Sequence, residues 1–305
     1  MQLLALLLPF VFASASFAEP ALDYLHTLQA ERQRVAPRQT ELLTLPNQLK
    51  VFLVSDGQSE KGAVAIRVGA GMYSDPQQYR GLAHYLEHML FLGSDKYPNA
   101  DDYDGFVNSV QGESNAFTQG WSTNYYLTVP ADALGEGVDR LAQFFIAPKF
   151  DEKYLAKELG AIQSEYDKNI EGLGWRLNYL EQQTILPTHP AHWTFQGNMQ
   201  TLGKIPRSVL LEFYHNFYSA NNMMVTIIGP QSLVELKALA TAAFAGVPGR
   251  GIAPPVYPAV ENFRTPIPRL FTAKTEQQTY ILEFSYTLPQ RAVEGWGTKV
   301  LSLFA

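Results

Sequence analysis

The chain has 305 residues, of which 46% are hydrophobic and 17% are charged, and its formal net charge is −6. These values are ordinary for a folded protein of one large or two smaller domains, and they exclude disordered, collagen-like and coiled-coil proteins. The net charge argues against a broad basic surface for nucleic acid. The absence of cysteine excludes disulfides, thiolate metal ligands and a cysteine nucleophile.

The N-terminal segment predicts export from the cytoplasm. Residues 1–18 carry no charged side chain and end in small residues, which suit cleavage after Ala18 or, as a second choice, near Ala13 and Ala15. The apolar run is too short for a comfortable membrane span. We therefore expect a signal peptide, a periplasmic location in a Gram-negative source and no membrane association after cleavage. The Lys or Arg that is usual at the start of a signal peptide is missing. The alternative to a signal peptide is a buried N-terminal helix.

The rest of the chain alternates between strand and helix patterns. In chain order the predicted elements are a polar leader (19–45), two paired strands (49–56 and 62–71, with a turn at Gly57), two helices (81–93 and 101–112), a hairpin around Gln119–Trp121, two helices (131–148 and 151–183, the second broken or bent near 172–174), a helix (207–219), a strand (223–229) and a helix (232–246). This order predicts an α+β fold, in which a mixed or antiparallel sheet is covered by helices on one face.

The C-terminal part of the sequence predicts a change of domain. Residues 250–269 are rich in proline, have no periodicity and are typical of a linker. A new strand pattern then begins at 279–289. We therefore predict one domain over 19–249 and the incomplete start of a second, similar domain over 270–305.

The most informative motif lies in the helix predicted over 81–93. His84 and His88 are four residues apart and Glu87 lies between them, so all three side chains share one face of a helix. Two imidazoles one turn apart bind a single zinc ion, and a neighbouring glutamate is placed to take a proton from the zinc-bound water. The alternative is two histidines on a half-buried helix that bind no metal. A catalytic zinc also needs a third protein ligand.

The segment HYLEHMLFLGS resembles the inverzincin metalloproteases of the pitrilysin and insulin-degrading enzyme family, the insulinase family M16. The resemblance covers about residues 40–300 and implies a zinc-binding peptidase domain with one zinc per chain. It implies Glu165, in the pair Ser164-Glu165, as the third ligand, because 76 residues separate it from His88 as in the family. It also implies that Glu158, seven residues earlier, supports the site without binding the metal. Without the resemblance, both glutamates fit a solvated helix face.

The resemblance also implies where the substrate binds. The segment SNAFT (114–118) is similar to the edge strand to which an extended peptide adds as a further strand, although Glu113 departs from the small residue expected before it. The implied substrate-binding residues are Asn115, Ala116, Phe117, Phe91 and Trp175. For the three aromatic residues the alternative is ordinary core packing.

His189 and His192 form a second pair of histidines at short spacing. Pro190 follows His189 directly and disfavours a helix there. The surrounding HPAHWTFQGNMQTL resembles a structural loop of the family, so we expect no second metal site.

The resemblance implies a zinc-dependent endopeptidase that hydrolyses peptides or small unfolded polypeptides, with the zinc-bound water activated by Glu87. Full-length relatives of this type close two halves around a chamber, so a C-terminal half or a partner subunit is expected to complete it. In relatives that half supplies an Arg and a Tyr that help to bind the substrate and stabilise the transition state, and neither can be assigned in this sequence. The alternatives are a non-catalytic zinc- and peptide-binding subunit, a processing protease for one peptide, and an exported scaffold whose histidines bind nothing.

Overall fold

The computed structural model describes residues 38–257. Within these residues, six strands form one sheet: β1 Gln39–Thr44, β2 Lys50–Ser55, β3 Lys61–Val68, β4 Glu113–Thr118, β5 Thr123–Pro130 and β6 Met223–Gly229. Eight α-helices occur in this range: α1 Leu82–Leu90, α2 Asp102–Ser109, α3 Leu134–Ile146, α4 Glu152–Ile170, α5 Leu173–Gln182, α6 Met199–Leu202, α7 Arg207–Phe217 and α8 Leu233–Phe244. The predicted signal peptide (1–18), most of the linker and the predicted second domain (270–305) lie outside the described residues, so these boundaries stay predictions.

The strand order is β1-β2-β6-β3-β5-β4, and the sheet contains both parallel and antiparallel neighbours. Only β2 and β6 run parallel, and every other neighbouring pair is antiparallel. The predicted pairing of 49–56 with 62–71 is therefore wrong, because β6 lies between β2 and β3. Two strands that are close in the sequence are expected to pair as a hairpin. The strand β6, which separates them, lies more than 150 residues later in the chain.

The predicted polar leader over 19–45 also needs a correction, since residues Gln39–Thr44 form the edge strand β1. This strand pairs antiparallel with β2 along its whole length. Leu42 is 66% exposed on it, and no residue of the strand is fully buried. An edge strand with so little buried surface lacks the apolar alternation that identifies a strand in a sequence.

One face of the sheet carries the core. Alternate side chains of the central strands are buried there, and α1, α3 and α8 pack against them. These buried strand residues are Val51, Leu53, Val64, Ile66, Val68, Tyr125, Leu127, Val129, Val225 and Ile227. On the opposite face Ala65, Arg67, Tyr126 and Met224 are exposed. The prediction of an α+β fold with helices on one face of the sheet is confirmed.

The predicted helices and the hairpin are confirmed, with shorter bounds in most cases. The helix predicted over 101–112 ends at Ser109 because Gln111 adopts a φ of +54° before the chain turns into β4. The stretch predicted over 151–183 breaks between Ile170 and Leu173, at the glycines that predicted the interruption. In the part of the chain that the structure describes, no helix is long and apolar enough to cross a membrane.

Candidate metal centre

Helix α1 carries the motif, and its first turn is fixed by a close backbone contact. Gly81 has a φ of +94°, and a Cβ built on it would lie 2.3 Å from the Cα of Gly197. Both geometries require glycine. The carboxylate of Asp75 accepts hydrogen bonds from the backbone N–H groups of Gly81 (2.7 Å) and Ala83 (2.8 Å). Asp75 thus satisfies N–H groups that the helix itself leaves without a partner.

The sides of α1 have different environments. Leu82, Leu86 and Met89 are fully buried against the sheet. His84 and His88 face the other way, one helical turn apart, and their side chains keep 15% and 17% of their surface exposed. Packing of the apolar side of α1 therefore fixes the direction in which both imidazoles point.

Helix α4 supplies two glutamates to the same place. Asp151 caps its first turn by accepting a hydrogen bond from the Lys153 N–H, and the Tyr85 hydroxyl joins α1 to α4 through the Leu155 carbonyl at 2.7 Å. Glu158 and Glu165, seven residues apart, lie on the face of α4 that is turned to the histidines.

Three potential metal ligands converge at this point. The Nε2 atoms of His84 and His88 lie 3.3 Å apart, and the Glu165 carboxylate oxygens lie 3.6 Å from His84 Nε2 and 3.7 Å from His88 Nε2. A tetrahedral zinc with bonds of about 2.0–2.1 Å holds its ligand atoms about 3.3–3.4 Å apart. The observed spacing therefore fits a single zinc ion, with a fourth position left to solvent or substrate. The structure thus brings together the three residues that were predicted as zinc ligands.

The Nδ1 atom of each imidazole is engaged by a partner away from the metal position. His84 Nδ1 lies 2.9 Å from the backbone carbonyl oxygen of Gln196, and His88 Nδ1 lies 3.3 Å from a carboxylate oxygen of Glu158. A carbonyl oxygen only accepts, so the proton of His84 sits on Nδ1 and its Nε2 lone pair faces the metal position. Glu158 has the geometry of the supporting residue that the sequence analysis described.

Protonation of the two histidines differs strongly. Burial, together with the neighbouring His88, lowers the pKa of His84 to about 4, so His84 is neutral and ready to bind a metal. Burial also acts to lower the pKa of His88, but hydrogen bonds with Glu158 and Glu165 outweigh it and raise that pKa to about 9. His88 must therefore release a proton when a metal binds.

Glu87 is held beside this group but is not one of the ligands. Glu87 is 7% exposed, and the Thr118 hydroxyl donates a hydrogen bond of 2.5 Å to its Oε2 atom. Burial raises the pKa of Glu87 to about 7, although the Thr118 hydrogen bond and the charge of His88 lower it. A glutamate with this pKa accepts and returns a proton near neutral pH.

A cleft of about 1510 Å³ opens above the metal position. All five predicted substrate-binding residues line it: Asn115, Ala116, Phe117, Phe91 and Trp175. Strand β4 forms one wall, and the predicted edge position of 114–118 is confirmed, because β4 pairs only with β5 among the described residues. Phe117 and Trp175 are 45% and 40% exposed, which is unlike core packing. Phe91 differs from these two residues, because it lines the cleft and also packs edge-on against Phe144, with ring centres 5.0 Å apart.

The second histidine pair is engaged elsewhere. His189 Nδ1 accepts a hydrogen bond from the Ala191 N–H at the start of a short 3-10 turn, and His192 Nδ1 lies 2.9 Å from the Ile185 carbonyl oxygen. Within residues 38–257, His84, His88 and Glu165 are the one group of three or more His, Asp or Glu side chains placed to share a metal ion.

Several residues of this centre were not identified from the sequence: Asp75, Thr118 as a partner of Glu87, Asn169 and Gln196. Gln196 contacts groups that are 112 and 31 residues away in the chain. Its segment gives no local pattern of metal binding, so only the folded chain brings it to the ligands.

Comparison with known proteins gives two family matches. Residues 50–188 match the family described as Insulinase (Peptidase family M16), and residues 204–301 match the Peptidase M16 inactive domain. The boundary between the two matches does not separate two sheets, because β6 belongs to the second match and lies in the middle of the sheet.

Individual relatives agree with these matches. Bovine insulin-degrading enzyme is 41% identical over 223 residues, which is 71% of this chain and 22% of that protein. The A-factor-processing enzyme of Saccharomyces cerevisiae is 34% identical over 271 residues, 86% of this chain and 26% of that protein. A crystal structure of pitrilysin superposes with a TM-score of 0.71 at 36% identity, covering 74% of this chain and 24% of pitrilysin. The chain thus spans about a quarter of the length of these relatives.

Proposed function

This chain belongs to the insulinase family M16 and corresponds to the N-terminal portion of insulin-degrading enzyme and pitrilysin, and from that membership we propose that it is the zinc-binding part of a metalloendopeptidase that hydrolyses peptides or small unfolded polypeptides. The convergence of three ligand atoms beside a buried glutamate is the observation that carries this proposal. His84, His88 and Glu165 hold the zinc, and Glu87 is the general base.

Each residue of the centre has a separate task. When bound, zinc supplies a Lewis acid that polarises the scissile carbonyl and acidifies a water molecule. Thr118 binds Oε2 of Glu87, which leaves Oε1 to take the proton of the attacking water and to return it to the leaving amine. Glu158 and the Gln196 carbonyl keep both imidazoles turned toward the metal position.

Peptide binding is proposed to use the edge strand. A peptide in extended conformation adds to the edge of β4 that pairs with no other strand among residues 38–257, through main-chain hydrogen bonds that do not depend on its side chains. Asn115 and Ala116 then lie under the bound peptide, while Phe91, Phe117 and Trp175 contact its side chains. A folded protein has few extended segments free to pair in this way, so the proposed substrates are short or unfolded.

Zinc removal and return test this function. We expect the purified protein to contain one zinc per chain by elemental analysis. The longest natural form of the protein that can be expressed should cleave an unstructured peptide. After the protein is dialysed against a chelator it should no longer cleave the peptide, and one equivalent of added zinc should restore cleavage. A protein without zinc, whose unfolding temperature does not rise when zinc is added, would support the scaffold alternative.

A non-catalytic subunit of the same family is the second candidate. In that case the chain binds zinc and peptide but cleaves nothing until a further half closes the chamber. Zinc and peptide binding without cleavage, followed by cleavage when a further half is supplied, distinguishes this arrangement. Export to the periplasm also stays a proposal that rests on residues 1–18.

Thr118→Val should change the pH dependence of cleavage. The hydroxyl lowers the pKa of Glu87, so its removal raises that pKa and keeps the base protonated up to a higher pH. Because Glu87 must be deprotonated to act, we expect the acidic limb of the kcat/KM profile to move up by about one pH unit, the equivalent of one charge-assisted hydrogen bond. Thr128→Val on β5 is the control. An unchanged acidic limb in Thr118→Val would contradict the assignment of this hydrogen bond.

A further inference from the structure

Gln196 contacts two of the three metal ligands although it binds no metal itself. It is 7% exposed, and its backbone carbonyl oxygen lies 2.9 Å from His84 Nδ1. Its side-chain Nε2 donates a hydrogen bond of 3.2 Å to Oε2 of Glu165, and its Oε1 accepts one of 2.9 Å from Asn169 Nδ2. A single residue thus connects the ligand on α1 to the ligand on α4.

We infer that the Gln196 side chain is a positioning residue of the metal centre, which raises zinc affinity by holding the Glu165 carboxylate in its ligand orientation. This inference rests on the zinc site of the proposed function. It assigns the side chain a role separate from that of the backbone carbonyl, which any residue at this position would provide.

Glu165 needs such a partner because its side chain is the most exposed of the three proposed ligands. Its side chain is 46% exposed, whereas those of His84 and His88 are 15% and 17% exposed. An exposed glutamate has several accessible rotamers, and fixing one of them on binding is opposed by side-chain entropy. The hydrogen bond from Gln196 favours the rotamer in which both carboxylate oxygens lie 3.6–3.7 Å from the histidine nitrogens. The zinc then meets a ligand that is already oriented.

The orientation of the Gln196 amide is itself determined by its two neighbours. A carboxylate only accepts hydrogen bonds, so the Nε2 end must face Glu165. The Asn169 amide donates to the Oε1 end, which opposes a flip that would turn an oxygen toward the carboxylate. Asn169 lies on α4, one turn beyond Glu165, so this chain of hydrogen bonds begins and ends on the same helix.

The chain directly after Gln196 is fixed by contacts with α1 and α4. Gly197 has a φ of +95° and packs against Gly81 at the start of α1. Asn198 caps α6 in a reciprocal arrangement with Thr201, and the Met199 N–H donates to the Gln163 side chain at 2.8 Å. Gln196 is therefore presented by a rigid turn between α1 and α4, as a positioning residue must be.

The test compares Gln196→Met with wild type in the full chain. Methionine has a similar length and volume, keeps the backbone carbonyl, and removes both the Nε2 donor and the Oε1 acceptor of the side-chain amide. We expect the zinc dissociation constant, measured by competition with a chromophoric chelator, to rise about 10–100-fold. Gln163→Met is the matched control, because Gln163 contacts the same segment from α4 but contacts no ligand, and its zinc affinity should stay within twofold of wild type.

A double-variant comparison separates positioning from a general loss of structure. If Gln196 acts through Glu165, adding Gln196→Met to Glu165→Ala, which leaves no acceptor for the Gln196 amide, should weaken zinc binding no further, whereas a merely structural defect would weaken both proteins equally. Gln196→Asn, whose amide is too short to reach Glu165, should behave like Gln196→Met and keeps the test valid if the methionine variant misfolds. Equal zinc affinity of wild type and both Gln196 variants would overturn this inference alone. A wild-type chain that binds no zinc would overturn the proposed function as well.

Discussion

Glu87→Gln is expected to abolish peptide cleavage while the protein keeps one zinc per chain. Glutamine has the same shape as glutamate, and its side-chain oxygen still accepts a hydrogen bond from the Thr118 hydroxyl, so the packing around position 87 is preserved. It cannot take a proton from water, and the loss of a positioned general base lowers kcat/KM about 10²–10⁴-fold. Zinc content should not change, because His84, His88 and Glu165 account for the ligand set.

The measurement pairs kcat/KM on a fluorogenic unstructured peptide with zinc content of the same sample. Glu152→Gln serves as the control, because it makes the same chemical change on an exposed residue in the first turn of α4. That control should match wild type in both readouts. Normal cleavage by a zinc-loaded Glu87→Gln protein would exclude Glu87 as the base, and loss of zinc in the variant would mean that Glu87 belongs to the metal site.

Glu165→Ala is expected to produce the largest loss of zinc affinity among variants that leave both histidines intact. It removes the one carboxylate of the proposed ligand set and leaves two imidazoles. Because even an outer partner of a zinc ligand contributes about 10–100-fold to affinity, a ligand itself should contribute more than about 100-fold. Without Glu165 the pKa of His88 should also fall, since Glu165 is one of the groups that raise it.

Zinc affinity and zinc-dependent stability measure this loss independently. A ligand present at about 100 times its dissociation constant stabilises a folded protein by about 2.7 kcal/mol, so wild type should unfold at a clearly higher temperature when zinc is added. Glu165→Ala should show almost none of this gain at the same zinc concentration. Glu171→Ala, an exposed glutamate just after α4, is the control and should keep the full gain. A Glu165→Ala protein that binds zinc as tightly as wild type would mean that another residue is the third ligand.

The sequence contained enough information to predict helix α1 and its functional face. Apolar residues at helical spacing predicted the helix, and the spacing of His84, Glu87 and His88 within it predicted a metal site, because one helical turn separates the two histidines by local geometry alone. Glu165 was different. It is one of several charged residues on α4, and only the resemblance of the chain to a family distinguished it from its neighbours.

The main errors of the sequence analysis concern the sheet. The position of β6 between β2 and β3 depends on a pairing across more than 150 residues, and hydrophobic alternation indicates that a segment is a strand without indicating its neighbours. Strand β1 was overlooked because an edge strand with exposed side chains has no regular apolar pattern.

Residues close together in the chain were enough to predict the composition class, most helices, the fold class and the pair of histidines with its glutamate. The surroundings of these residues follow only from the folded chain: the contact of Glu158 with His88, the hydrogen bond of Thr118 to Glu87, and the contacts of Gln196 with His84 and Glu165. Each of these joins residues more than 30 positions apart, and such contacts form only when burial of the apolar faces of α1 and the sheet fixes where the helices lie.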